Sequence, residues 1–146
     1  MHSVEPDLKL GGFSLWVFGY QFPNDTDYWD GNWLNVRARV EAPGAVVKAQ
    51  GAFVFAPELA SFAKQLETLH ATFTGEAGLH CMEPNLEIAI RCGSLGHVAV
   101  KIMVTPDPST QSHEFKFDLD QSYLGPLLDG CKSVLSRWPV RAETSA

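Results

Sequence analysis

The sequence predicts an α+β fold: an antiparallel sheet of about six strands with two helices packed on one face, in the order βββ-α-βββ-α. Three observations lead there. Apolar residues alternate with period two in successive short segments. The spacing changes to three and four in two longer ones. Turn residues join neighbouring strand segments directly, without the spacing of βαβ units.

Phe13 to Phe22 is apolar on both sides, with Leu15 and Val17 set against Trp16, Phe18 and Tyr20, so this strand is expected to be covered on both faces or at one end. From Trp33 to Val40, Leu34, Val36, Ala38 and Val40 alternate with Asn35, Arg37 and Arg39. Val47 to Phe55 sets Val47, Ala49, Gly51, Phe53 and Phe55 against Lys48 and Gln50. Ala42-Pro43-Gly44 joins these two as a hairpin. Pro57 suits a first helical position, and Glu58 beside it suits the positive end of the helix dipole. Leu59, Phe62, Ala63, Leu66, Leu69 and His70 then follow at helical spacing, which predicts a helix over about 57–71.

Leu86, Ile88, Ile90 and Cys92 form the next alternating set, Gly93 to Gly96 a turn, and Val98, Val100, Ile102 and Val104 the following strand. Phe115, Phe117 and Leu119 make the last, after a proline-containing loop that cannot continue a ladder. A short strand near Gly78 to Met82 is a weaker expectation. A turn over 121–124 and a helix from Pro126 to about Arg137 close the order, because proline is best tolerated at a helix start. Arg37, Arg39, Lys48, Gln50, Glu87, Arg91, Lys101, Glu114 and Lys116 then read as one polar sheet face, solvated as antiparallel sheets allow.

The 146 residues read as a single domain over 1–146, with 1–8 and 140–146 expected to fray. Such a length buries about 70% of the unfolded chain's surface, enough for a core without metal or disulfide. The net charge of -6 and pI near 5.2 argue against nucleic acid and against anionic membrane, and suit a basic protein partner. No secretory leader and no run of about 18 apolar residues is visible. Three unpaired cysteines, Cys81, Cys92 and Cys131, fit reduced thiols in a cytoplasmic protein.

No catalytic signature stands out. His70, His80, Cys81, Glu83, Cys92 and His97 are metal-ligand types without metal spacing, so neither a metal nor a cofactor is expected. No nucleophile motif occurs, and Gly11-Gly12 precedes a strand rather than opening a helix, so it is not a phosphate loop. Asp118 and Asp120 share one strand face about 7 Å apart, yet Asp120 is equally suited to cap the following helix. The chain is therefore read as a non-enzyme.

The segment from Asn24 to Leu34 carries three acids and three aromatics and no basic residue. One reading is a strand connection whose Trp29 or Trp33 folds back over the sheet edge. The other is a recognition loop, aromatic anchors rimmed by negative charge and offered to a basic partner.

Tyr28-Trp29-Asp30-Gly31-Asn32-Trp33-Leu34, Pro57-Glu58-Leu59 opening a helix, Glu83-Pro84-Asn85-Leu86-Glu87, and Phe117 to Leu124 occur in an order that resembles the WapI-type family of small bacterial immunity proteins. The resemblance spans about 13–138. It implies a cytoplasmic antidote that binds the toxic domain of a polymorphic toxin, often a nuclease, and it brings no catalytic residues. The expected partner contacts are Asp25, Asp27, Tyr28, Trp29 and Asp30, with Asp118 and Asp120 as a second acidic group. A small-ligand domain with a pocket beside Trp16, Trp29 and Trp33, or a hydrolase with an unrecognised site, are the alternatives. Homo-oligomerisation through a strand edge stays open for any of them.

Overall fold

Apolar alternation builds two antiparallel sheets, not one. The computed structural model describes residues 5–142. Strands β1 (Leu8–Leu10), β2 (Phe13–Tyr20), β3 (Trp33–Ala42) and β4 (Ala45–Phe55) form the first sheet in that order. Strands β5 (Gly75–His80), β6 (Leu86–Cys92), β7 (His97–Val104) and β8 (Glu114–Asp120) form the second. Helix α1 (Tyr28–Gly31) is a single turn before β3, α2 (Ala56–Thr72) connects the sheets, and α3 (Leu124–Arg137) closes the chain.

The α+β class holds, while the single sheet of about six strands with two helices is corrected to two sheets of four strands and three helices. The reason is α2. Its 17 residues span about 25 Å at the helical rise, so the chain leaves the edge of the first sheet and starts a second sheet elsewhere. Period-two alternation marks each strand but carries no information about which strands pair across that helix. The polar face expected to be continuous is divided with it. Arg37, Arg39, Lys48 and Gln50 lie on the first sheet, and Glu87, Arg91, Lys101, Glu114 and Lys116 on the second.

One contiguous core joins the parts. The first sheet contributes Phe13, Leu15, Val36, Ala38 and Val40, and the second Leu86, Ile88, Ile90, Val100 and Ile102. Helix α2 lies against β5 and α3, and α3 lies against β1. Its Leu59, Phe62, Leu66 and Leu69 are buried, each worth about 1.5–3 kcal/mol of transfer free energy. A left-handed residue, Phe73, ends α2, its N–H donating to Leu69 O at 2.7 Å.

Two boundaries differ from expectation. Helix α3 starts at Leu124, keeping Gly125 and Pro126 inside its first turn, where a missing N–H costs no intrahelical bond. Leu8, expected in a frayed terminus, is a buried strand residue, and the Asp7 carboxylate accepts from Val17 N (2.7 Å) and from Arg137 (2.6 Å). Arg141, at the other end, is also held, as described below. Residues 1–4 and 143–146 lie outside the described residues.

Glu58 ties the start of α2 to the end of β5. Its carboxylate accepts from Phe55 N (3.0 Å) and Met82 N (2.7 Å), and the Cys81 thiol donates to it. Burial outweighs these bonds and raises its pKa above the ordinary 4.5. A raised folded-state pKa contributes stability that is present below 4.5 and lost as pH rises through the folded value. Wild type is therefore expected to gain melting temperature relative to Glu58→Gln as pH falls from about 7 towards 4.5, a trend that thermal melts across that range would check.

Candidate functional site: an open trough between the aromatic loop and the second sheet

The segment 24–34 folds as a capped, buttressed turn. Asp27 is the N-cap of α1, its carboxylate accepting from Asp30 N at 3.0 Å. Gly31 is required by close approach: a Cβ there would lie 2.5 Å from the Asp25 carbonyl oxygen. Asn32 is fully buried and anchors the whole turn. Its side-chain amide donates to Tyr28 O (2.8 Å) and Arg141 O (2.9 Å), and its Oδ1 accepts from Arg141 N (2.7 Å).

Arg141 completes the clamp from the far end of the chain. Its guanidinium donates to Phe22 O (3.1 Å), Pro23 O (2.9 Å) and Asp25 O, and stacks 3.4 Å above the Tyr20 ring. Asn32→Ala would strip three partners of their bonds in a buried setting. It is expected to cost about 2–3 kcal/mol, measured by chemical denaturation.

The loop aromatics gather on Phe55, which is buried at the end of β4. Trp29 stacks on it (5.8 Å, 13°), Tyr28 meets it edge-on (5.3 Å), and Trp33 tilts against it (4.8 Å). Trp29 nevertheless stays 57% exposed. Beside it the carboxylates of Asp25, Asp27 and Asp30 lie within 4.8 Å of one another, all exposed. The segment thus packs its rings on Phe55, as a folded-back connection would, while Trp29 and the acids face solvent.

From Trp29 an open trough runs across the molecule. Its first part, about 380 Å³, is bounded by Tyr28, Trp29, Phe55, Pro57, Ser61 and Met82. Its second, about 470 Å³, lies over the outer face of the second sheet between Glu76, Arg91, Lys101, Lys116 and Asp118. The two share Gln65, Gly78 and His80, so they form one surface.

The seven residues expected at the partner surface divide accordingly. Asp25, Tyr28, Trp29 and Asp30 flank or line the near end, and Asp27 sits there while serving as a cap. Asp118 lines the far end, its carboxylate 3.4 Å from His97 Nε2. Asp120 is placed elsewhere. It caps the short turn over 121–123, accepting from Ser122 N (2.8 Å) and from the Ser122 hydroxyl, which together lower its pKa below the ordinary value. It borders a separate shallow depression with Phe73 and Leu95.

The expected Trp pocket is not assembled: Trp16 lies on the outer face of the first sheet under Arg37 (4.7 Å), whereas Trp29 and Trp33 pack on Phe55. The thiols of Cys81, Cys92 and Cys131 are free, and burial raises the pKa of each, that of Cys131 to about 12. The lysines of the trough were visible in the sequence only as outward-facing strand positions.

The family model described as the WapI-like immunity protein family matches residues 7–139. The chain belongs to this family. The match takes in the loop, both sheets and both long helices, and ends just before Arg141. No curated protein and no solved structure matches the chain. No helix among the described residues is long and apolar enough to cross a membrane.

Proposed function

We propose that this chain is a non-catalytic immunity protein that neutralises a cognate toxin domain in the cytoplasm by direct binding, with the trough as its contact face. Family membership supports the class of function. The observation that favours this face is Trp29, an exposed indole held in one orientation by stacking on buried Phe55. A large aromatic already ordered before binding loses little conformational entropy when a partner covers it, which is how interface hot spots gain their energy.

The acids beside it supply the second element. Asp25, Asp27 and Asp30 concentrate negative charge next to that anchor. A nuclease toxin must present cations to phosphate, and an inhibitor that offers carboxylates competes for the same groups. Asp27 has a double duty as contact and cap, so Asp25 and Asp30 are the cleaner acids to substitute. The open form of the trough suits a protein surface better than an enclosed small molecule.

Co-expression of this chain with the toxin domain encoded beside its gene tests the reading. Rescue of growth together with a co-purified complex is the expected result. Growth arrest with no complex would overturn it.

A further inference from the structure

The acidic aromatic loop is held in shape by the far end of the chain. Over residues 21–30 only Tyr28 is partly covered, and the rest are exposed. A segment with so little buried surface opens locally unless hydrogen bonds hold it. The loop's own bonds are short-range: Asp25 N to Phe22 O (3.1 Å), Asp30 N to the Asp27 carboxylate (3.0 Å) and Gly31 N to Asp27 O (2.9 Å).

The residues after α3 add what these bonds lack. Trp138 packs on Gly19, where a Cβ would lie 3.3 Å from the indole Nε1, and the Tyr20 hydroxyl donates to Pro139 O (2.5 Å). The chain thereby crosses the root of the loop and delivers Arg141. Its guanidinium stacks on the Tyr20 ring and donates to the carbonyls of Phe22, Pro23 and Asp25. Among the described residues its side-chain partners include no carboxylate, although three stand in the same loop. Arg141 thus fixes the main chain and leaves the Asp25 and Asp30 carboxylates exposed. A planar fork of donors suits that task, because it can reach several carbonyls at once. Arg141 lies beyond the family match, so membership assigns it no role.

We infer that Arg141 is a positioning residue for partner binding, holding the loop in its binding shape before the toxin domain arrives. This rests on the loop belonging to the contact face. Apparent affinity scales with the fraction of molecules whose site is already formed. Loss of the clamp should therefore slow association and spare dissociation, since the contacts within the complex stay the same. Charge alone predicts the opposite. Arg141→Met removes a cation beside three acids, which would speed capture of a basic partner.

Full-length Arg141→Met is compared with wild type. In the free protein, amide exchange at Asp25, Asp30 and Gly31 should quicken about tenfold, with the amides of β2 and β3 unchanged. Association with the toxin domain should slow about tenfold, with dissociation within about twofold of wild type. Loop amides as slow as in wild type would overturn the inference, as would association that is unchanged or faster. Quickening that spreads equally through β2 and β3 would make Arg141 a general stability residue and overturn it too. If wild type itself does not bind the toxin domain, the proposed function falls, and the exchange comparison alone decides whether Arg141 orders the loop.

Discussion

Phe55→Ala is expected to cost about 3–5 kcal/mol, the range for deleting a buried aromatic where neighbours cannot collapse inward. The site makes collapse difficult. Trp29, Tyr28 and Trp33 all rest on this one ring, and the Phe55 backbone N–H is fixed by Glu58 at 3.0 Å. The loss therefore has two consequences. Chemical denaturation should show a lower midpoint, and Trp29 fluorescence anisotropy should fall in the folded variant as its stacking platform disappears. Phe55→Leu, which refills much of the volume without the flat face, separates the effects by restoring stability more than ring order.

Trp29→Ala combined with Asp25→Lys should weaken toxin-domain binding by about thirtyfold or more, the effect of losing about 2 kcal/mol at an interface hot spot. Folding should be nearly untouched. Trp29 is more than half exposed, and the Asp25 side chain, unlike that of Asp27, caps nothing. Asp27→Lys would confuse the result, since it removes the bond to Asp30 N and with it about 1 kcal/mol of helix-start stability. Titration calorimetry of the complex, beside thermal melts of the free variant, separates the two quantities.

The sequence showed local structure far better than assembly. Alternation in Leu34 to Val40, Leu86 to Cys92 and Val98 to Val104 marks strands because each buries one face, and all three are strands. The helix opened by Pro57 and Glu58 is found within one residue of its expected start. Leu8 to Leu10 was missed because three residues are too few to show a period. Gly75 to His80, rich in small residues, gave only a faint signal near its C-terminal end.

Long-range relations were invisible for a different reason. Asn32 reads as an ordinary turn residue, since its importance lies in Arg141, far along the chain. Lys101 and Lys116 read as two solvated strand positions until register sets them face to face. The trough itself exists only where Gln65 of α2 meets Gly78 and His80 of β5. The acidic aromatic loop was conspicuous because its composition is local, and composition is what a single sequence reports best.

Hydrogen–deuterium exchange of the chain, free and saturated with the toxin domain, tests the central claim most directly. Protection is predicted at the Asp25 to Asp30 turn, along Glu76 to His80, and at Lys101 and Lys116, with the outer face of the first sheet around Arg37 and Lys48 unchanged. Protection confined to Arg37 and Lys48, with the trough still exchanging freely, would contradict it.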